Sequence, residues 1–237
     1  MAAVRMLGVD EAGGAVLLDR PLGHGEHPDA AAYGAGLLLT RPVDARRDDD
    51  GELVVRWIVR PAGDEAAPDV PPRGHDPGLD LTGIEPELRQ RVAAYALVRS
   101  ARGLLATEFS ARTASPGRWG LPGGGIEDGE EPADAVLRET AEETNQRIVL
   151  GALAAVQSSH WIGRSPRGVV QDFHAVRLVY RADCPAPTRP RVLDVDGTTA
   201  SARWVGLTRW RRVAWTVGWR TLLPELIAGQ DGPAQVG

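Results

Sequence analysis

The residues with the clearest chemical potential lie in one short stretch, GGGIEDGEEPADAVLRETAEET, from Gly123 to Thr144. Three glycines lead into eight acidic residues that are answered by a single arginine, Arg138. Pro132 suits the first position of a helix, where its missing N–H costs nothing. Glu130, Glu131 and Asp134 crowd the first turn, where the helix dipole favours negative charge. Ala133, Val136, Leu137, Thr140 and Thr144 follow an i, i+3, i+4, i+7 rhythm that predicts a core-facing stripe. Glu139, Glu142 and Glu143 then share an adjacent stripe. Like charges at that spacing repel by roughly 0.2–0.5 kcal/mol per pair, and no positive side chain follows one turn later. A solvated acidic face is the plain reading of a bare EE pair. Three carboxylates on one stripe instead suit a hard divalent cation, since Mg²⁺ prefers oxygen ligands and often works with substrate phosphates. The glycines add backbone that can approach a metal or ligand closely.

These residues resemble the Nudix box, G-x5-E-x7-R-E-U-x-E-E-x-G-U, where U is a bulky aliphatic residue. Gly124 opens it, Glu130 follows, and RETAEE from Arg138 to Glu143 supplies the end, so six of the nine defined positions match. RWGLPGG before it is similar to the family's lead-in. Thr140, Asn145 and Gln146 depart from the pattern. Asn145 replaces a glycine at the helix end, where asparagine is the next-best residue for a left-handed cap. Ile148 and Val149 are expected to take over the packing of the missing aliphatic at Gln146. The resemblance spans roughly Arg91 to Ile227 and leaves the first 85 or so residues unexplained.

The resemblance implies an α+β fold, a Nudix α/β/α sandwich with a mixed sheet. It implies Mg²⁺ or Mn²⁺ bridging a diphosphate and positioning water for attack on phosphorus. The metal would be held by Glu139, Glu142, Glu143 and the Gly123 carbonyl, with Glu139 or Glu142 doubling as general base. Arg138 would orient these carboxylates through charge-assisted bonds, partnered by Glu130. Some relatives take their base from another loop, for which Glu127, Asp172 and Asp194 are the nearest candidates. Substrate contacts fall outside the box: Arg112, Arg164 and Arg167 for phosphate, and Trp119 for a base. Each arginine also reads as a surface charge, and Trp119 as packing. The loop SSHWIGRSPRGVVQ resembles a specificity lid. The expected partner is a nucleotide-type small molecule, either a nucleoside triphosphate or a nucleoside diphosphate linked to another group, with a homodimer left open. The rival is a ligand-sensing or interaction module of the same fold without turnover.

The elements that must position these residues read as follows. Strand-like runs at Val4–Val9, Ala15–Asp19, Gly36–Thr40 and Leu53–Val59 predict a small β-rich unit over residues 1–63. A Pro/Gly-rich linker follows at 64–86, then the Nudix domain at 87–230. AAYALVRS and GLLATEFS around ARG predict a hairpin, and RIVLGALAAVQSSHWI, VVQDFHAVRLVYRA and ASARWVGL predict further strands. Trp210, Val213, Val217, Leu222, Leu226 and Ile227 recur at helical spacing and predict an apolar face packed on the sheet. GHGEH brings His24, Glu26 and His27 together; a metal site is conceivable, but a solvated loop is the preferred reading because no further ligand sits at a recognisable spacing.

Composition bounds the rest. All 27 basic residues are arginine, which matches the coding bias of a GC-rich genome, and the net charge is −5. That balance argues against attraction to nucleic acid or anionic membrane. A single cysteine, Cys184, excludes an internal disulfide and reads as a loop residue. With no signal peptide and no apolar run of about 20 residues, the expected location is cytoplasmic.

Overall fold

The computed structural model describes residues 4–165, 167–194 and 197–229. Two compact units interleave along the chain. One gathers residues 1–94, 124–135 and 152–179, and the other gathers 95–123, 136–151 and 180–237.

The first unit opens with a four-stranded sheet of β1 (Val4–Val9), β2 (Val16–Leu22), β3 (Leu37–Arg47) and β4 (Leu53–Pro61), in the order β2-β1-β4-β3. β1 pairs antiparallel with β2 and parallel with β4, and β4 pairs antiparallel with β3. β4 is central, and its run of Leu53, Val54, Val55, Trp57, Ile58 and Val59 is buried almost without interruption. A strand covered on both faces is expected to be apolar in this way rather than alternating. Both β2 and β3 run longer than their apolar patterns predict. β3 continues through Asp44–Arg47, where Ala45 and Arg46 pair with Val55 and Val54, so pairing with a strong central strand overrides the turn-like composition. GHGEHPD, read as a turn, leads instead into helix α1 (Pro28–Gly34), with Pro28 at the first position and His27 capping the Asp29 N–H.

A second sheet has the order β12-β7-β6-β11-β10-β5. Its strands are β5 (Gly74–His75), β6 (Glu87–Ser100), β7 (Gly103–Phe109), β10 (Val149–Arg164), β11 (Val170–Asp183) and β12 (Thr199–Val205), with the short β8 (Trp119–Gly120) on β7 and β9 (Gly123–Gly125) on β6. The sheet is mixed, since β5 lies parallel to β10 while β12 lies antiparallel to β7. The predicted hairpin of β6 and β7 forms around Ala101 and Arg102, with Ser100 opposite Gly103. The acidic stretch forms helix α2 (Pro132–Thr144), and the tail forms α3 (Val217–Ala228) after a 3₁₀ turn at Trp210–Arg212.

Several expectations need correction. The tail is not one long helix: Trp210, Trp215, Trp219, Leu223 and Leu226 form the buried set, while Val217 is exposed. Much of SSHWIGRSPRGVVQ is strand, divided between β10 and β11. Residues 64–86 are no bare tether, because Gly74 and His75 pair with Trp161 and Ile162, and the Asp76 N–H donates to the Ile162 carbonyl at 2.9 Å. Asp76 Oδ2 also accepts the Arg164 N–H at 2.8 Å.

Limited proteolysis tests whether the first unit holds together across this segment. Cleavage is expected among the exposed residues 64–73, with the two fragments co-eluting until denaturant is added. Prompt separation of the fragments under native conditions would contradict the contacts that join β1–β4 to the rest of the first unit, among them Arg47 Nε to the Glu130 carbonyl and His24 to Asp172.

Candidate active site

In the second unit, the three box glutamates stand in different environments. The core-facing positions of α2 are Ala135, Val136, Thr140, Glu143 and Thr144, while Leu137 is exposed. The buried stripe is therefore rotated from the predicted one, and it takes in Glu143, which is only 7% exposed. Burial of an ionised carboxylate requires compensation. The Gly123 N–H donates to Glu143 Oε2 at 2.9 Å, and the Thr199 hydroxyl donates to Oε1. Gly123 has φ 139°, a conformation that side-chain-bearing residues rarely adopt, so a glycine is what lets this N–H face the carboxylate. Burial pushes the Glu143 carboxyl up to about 7; its two hydrogen bonds oppose that shift, and the neighbouring Glu139 and Glu142 charges add to it.

Arg138 Nη1 bridges the other two, donating to Glu139 Oε1 at 3.1 Å and to Glu142 Oε2 at 3.2 Å. Glu139 is the more enclosed of the pair, with side-chain exposure of 19% against 46% for Glu142. One guanidinium thus holds two carboxylates on the same side of the helix, one turn from the buried third.

The end of α2 is closed by its own unusual residues. Asn145 has φ 52°, the left-handed cap predicted for it. Gln146 occupies the aliphatic position by making polar contacts inside the unit. Its side chain donates to Thr188 Oγ1 at 2.8 Å and accepts the Thr188 N–H at 2.9 Å, with the buried Cys184 Sγ 3.8 Å away. Val149, expected to compensate, is exposed instead. The last carbonyls of α2, orphaned in any helix, accept N–H groups from the following segment: Arg191 to Thr144 at 3.0 Å and Leu193 to Glu142 at 2.7 Å. That segment lines a recess of about 390 Å³ with Ser110, Arg112, Val192, Gly197 and Thr199.

The start of the box belongs to the first unit. Arg47, at the end of β3, donates through Nε to the Glu130 carbonyl at 2.9 Å and through Nη2 to the Glu127 carbonyl at 3.3 Å. Its backbone N–H meets the Glu131 carboxylate at 3.2 Å. Nothing in the linear pattern marks Arg47 or Thr199 for these tasks, because each acts on residues many tens of positions away.

The other substrate candidates are placed as follows. Arg112 lines the recess with Thr199. Trp119 is buried, and the Arg203 guanidinium lies over its ring at 4.0 Å from the centroid. Arg164 and Arg167 sit at the β10–β11 turn of the first unit, where Arg164 Nη1 donates to the Gly168 carbonyl at 3.0 Å. Of the alternative bases, Asp172 is engaged by His24 and His160, while the Asp194 N–H approaches the Glu142 carbonyl at 3.4 Å.

Known proteins resemble this chain in sequence and in fold. The family model for the NUDIX domain matches residues 89–222, more than half of the chain. The chain belongs to the Nudix family. A nucleoside triphosphatase NudI from Escherichia fergusonii is 36% identical over 105 residues, covering 43% of this chain and 73% of that protein. The Klebsiella pneumoniae protein of the same name is 28% identical over the same shares. A MutT protein structure from Methanosarcina mazei covers 62% of this chain and 100% of its own, at 18% identity and a TM-score of 0.50, which speaks for the shared fold. The α/β/α Nudix sandwich is therefore the fold of the matched region, and hydrolysis at pyrophosphate bonds is the activity its family supports. Among the described residues no helix is long and apolar enough to cross a membrane.

The raised Glu143 value has a measurable consequence in metal-free protein. The folded Nudix protein binds this proton more tightly than the unfolded chain does. The associated stability is complete below the ordinary carboxyl range and is lost as pH rises to about 7. Glu143→Gln mimics the protonated acid, since its carbonyl can accept from Gly123 and its amide can donate to Thr199 Oγ. In chelator, the variant is expected to melt above the parent at pH 8, with the gap closing at pH 5. Parallel melting curves across that range would refute the assignment.

Proposed function

We propose that this Nudix protein is a divalent-metal-dependent pyrophosphohydrolase acting on a nucleoside triphosphate or on a nucleoside diphosphate linked to another group. The observation that carries this reading is the trio of glutamates on α2, with Glu143 fastened to the Gly123 backbone and Glu139 and Glu142 bridged by Arg138. The donor set suits Mg²⁺ or Mn²⁺: oxygen ligands only, mutually repelling, and one of them buried where its charge is costly. Glu139, Glu142, Glu143 and the Gly123 carbonyl are the groups that would hold it. When bound, such a metal neutralises phosphate charge and lowers the pKa of coordinated water.

The protein's own residues have separable tasks. Thr199 and the Gly123 N–H keep Glu143 in place, so its position is set before substrate arrives. Arg138 fixes the spacing of Glu139 and Glu142, one of which takes the proton from the attacking water as the new P–O bond forms. The oxygen bridging the two phosphoryl groups leaves with the departing phosphate as the old P–O bond breaks. Arg112, which lines the recess with Thr199, would supply charge-assisted bonds to phosphate oxygens. The triphosphatase named among the relatives supports a nucleoside triphosphate as the first substrate to try.

The test is phosphate and pyrophosphate release from a panel of nucleoside triphosphates and nucleotide diphosphate conjugates under Mg²⁺ and Mn²⁺. Turnover is expected with at least one of them. Glu142→Gln should lower kcat by about 10²-fold or more, and Arg138→Ala should lower it through misplaced carboxylates. Full activity in Glu142→Gln would move the chemistry away from the box. A parent that binds a nucleotide but turns none over would favour the sensing module.

A further inference from the structure

The first unit carries a second set of potential metal ligands, separate from the box. The chain has five histidines, and its fold gathers the rings of His24, His160 and His174 beside one carboxylate, Asp172. His24 Nε2 lies 2.8 Å from Asp172 Oδ1, and His160 Nε2 lies 2.5 Å from the same oxygen. The ligand atoms of His24, His160 and Asp172 all fall within 4.8 Å of one another. Each of these three side chains is about four-fifths buried or more, yet none is sealed from solvent.

The backbone is shaped to bring them together. His160 on β10 and Asp172 on β11 face each other across the hairpin; two residues along each strand, Ser158 meets His174 with Oγ 2.9 Å from Nε2. The loop before α1 delivers His24. Gly25 in that loop has φ 72°, and a Cβ there would stand 2.4 Å from the His160 ring, so only glycine allows the approach. His27 is occupied differently, accepting the Asp29 N–H at 3.3 Å, and Glu26 pairs with Arg20 at 2.9 Å. Thus GHGEH contributes one ligand, and its partners come from more than 130 residues away.

Protein hydrogen bonding alone leaves this cluster poorly served. Two imidazoles aim their Nε2 atoms at one carboxylate oxygen, and His24 Nδ1 and His174 Nδ1 are buried without a hydrogen-bond partner among the described residues. Burial opposes ionisation of Asp172, but the two imidazoles hydrogen-bonded to it outweigh that and keep its carboxyl below the usual range. Burial chiefly, with the neighbouring imidazoles, holds His174 neutral, its value pushed down to about 4. Arg73 stands 4.0 Å from the other oxygen, Oδ2, which leaves Oδ1 to the imidazoles.

We propose that His24, His160 and Asp172 form a binding site for a borderline first-row divalent cation such as Zn²⁺, with a further position open to water. A cation about 2.1 Å from each donor sets neighbouring ligands ~3.4 Å apart in a tetrahedral site, so the 2.8 and 2.5 Å contacts to Oδ1 would widen by roughly 0.6 and 0.9 Å to admit it. Two nitrogen donors and one carboxylate select zinc or its neighbours over Mg²⁺, which prefers oxygen and near-octahedral geometry. The site fastens the loop before α1 to the β10–β11 hairpin and is independent of the Nudix carboxylates in chemistry and in ligands.

The experiment titrates Zn²⁺ into chelator-stripped full-length protein by calorimetry, with Mg²⁺ in excess to occupy the box, and repeats the titration with Co²⁺ by visible absorption. One tight equivalent of Zn²⁺ is expected in the parent and equally in Glu142→Gln, with a rise in melting temperature. His160→Gln and Asp172→Asn should weaken it by more than the ~10–100-fold that loss of an outer partner costs. Intense Co²⁺ bands in the parent are expected of a low-coordinate site with imidazole ligands, and they read the ligand type without any substitution. Binding that Mg²⁺ displaces, that vanishes in Glu142→Gln, or that persists unchanged in His160→Gln would overturn the proposal. So would a folded parent that takes up no Zn²⁺.

Discussion

A buried carboxylate held by a backbone N–H and a hydroxyl is the constraint on which the rest of the catalytic region depends. Glu143 can be placed in the interior of its unit only because Gly123 and Thr199 answer its two oxygens. That requirement fixes where both the glycine-rich strand β9 and the strand β12 must begin. It also sets the rotation of α2, since turning Glu143 inward is what leaves Leu137 in solvent. The cost of leaving a carboxylate half-satisfied at that depth, several kcal/mol in a dry setting, exceeds the gain from covering one leucine, about 1.5–3 kcal/mol. The helix therefore yields its apolar stripe to its charged one.

The same logic explains the departures from the family pattern. Asn145 reaches the left-handed cap that glycine would reach more cheaply. Gln146 replaces an apolar contact with an amide whose oxygen and nitrogen both find partners, two of them on Thr188. Polar satisfaction substitutes for hydrophobic area in that corner, and Cys184 sits beside it as a small buried thiol whose ionisation burial disfavours.

Much of this was legible in the linear chain, and the misses have physical causes. Val4–Val9 and Leu53–Val59 were readable as strands because local apolar pattern and tertiary burial agree there. The box was readable because helical spacing converts directly into a shared face. The phase of that face was not, because the apolar rhythm of α2 is weak and a long-range hydrogen bond decides it. Helix α1 was hidden by a Gly- and His-rich lead-in whose proline stands at the first helical position. The partners of His24 were invisible for a simpler reason: period and spacing report on neighbours along an element, and Asp172 is a neighbour only through the fold.

Interleaving of the two units bears on how the chain comes into being during translation. The sheet of β1 to β4 is local and can close soon after it is made, but the unit to which it belongs also needs residues 124–135 and 152–179. At roughly 5–20 residues per second, the ribosome leaves the β1–β4 segment waiting several seconds for those pieces. During that interval Arg47 faces no box loop and His24 no hairpin. The N-terminal segment is thus an unfinished scaffold for part of synthesis, and recombination at the Pro-rich stretch would sever a unit rather than exchange a module.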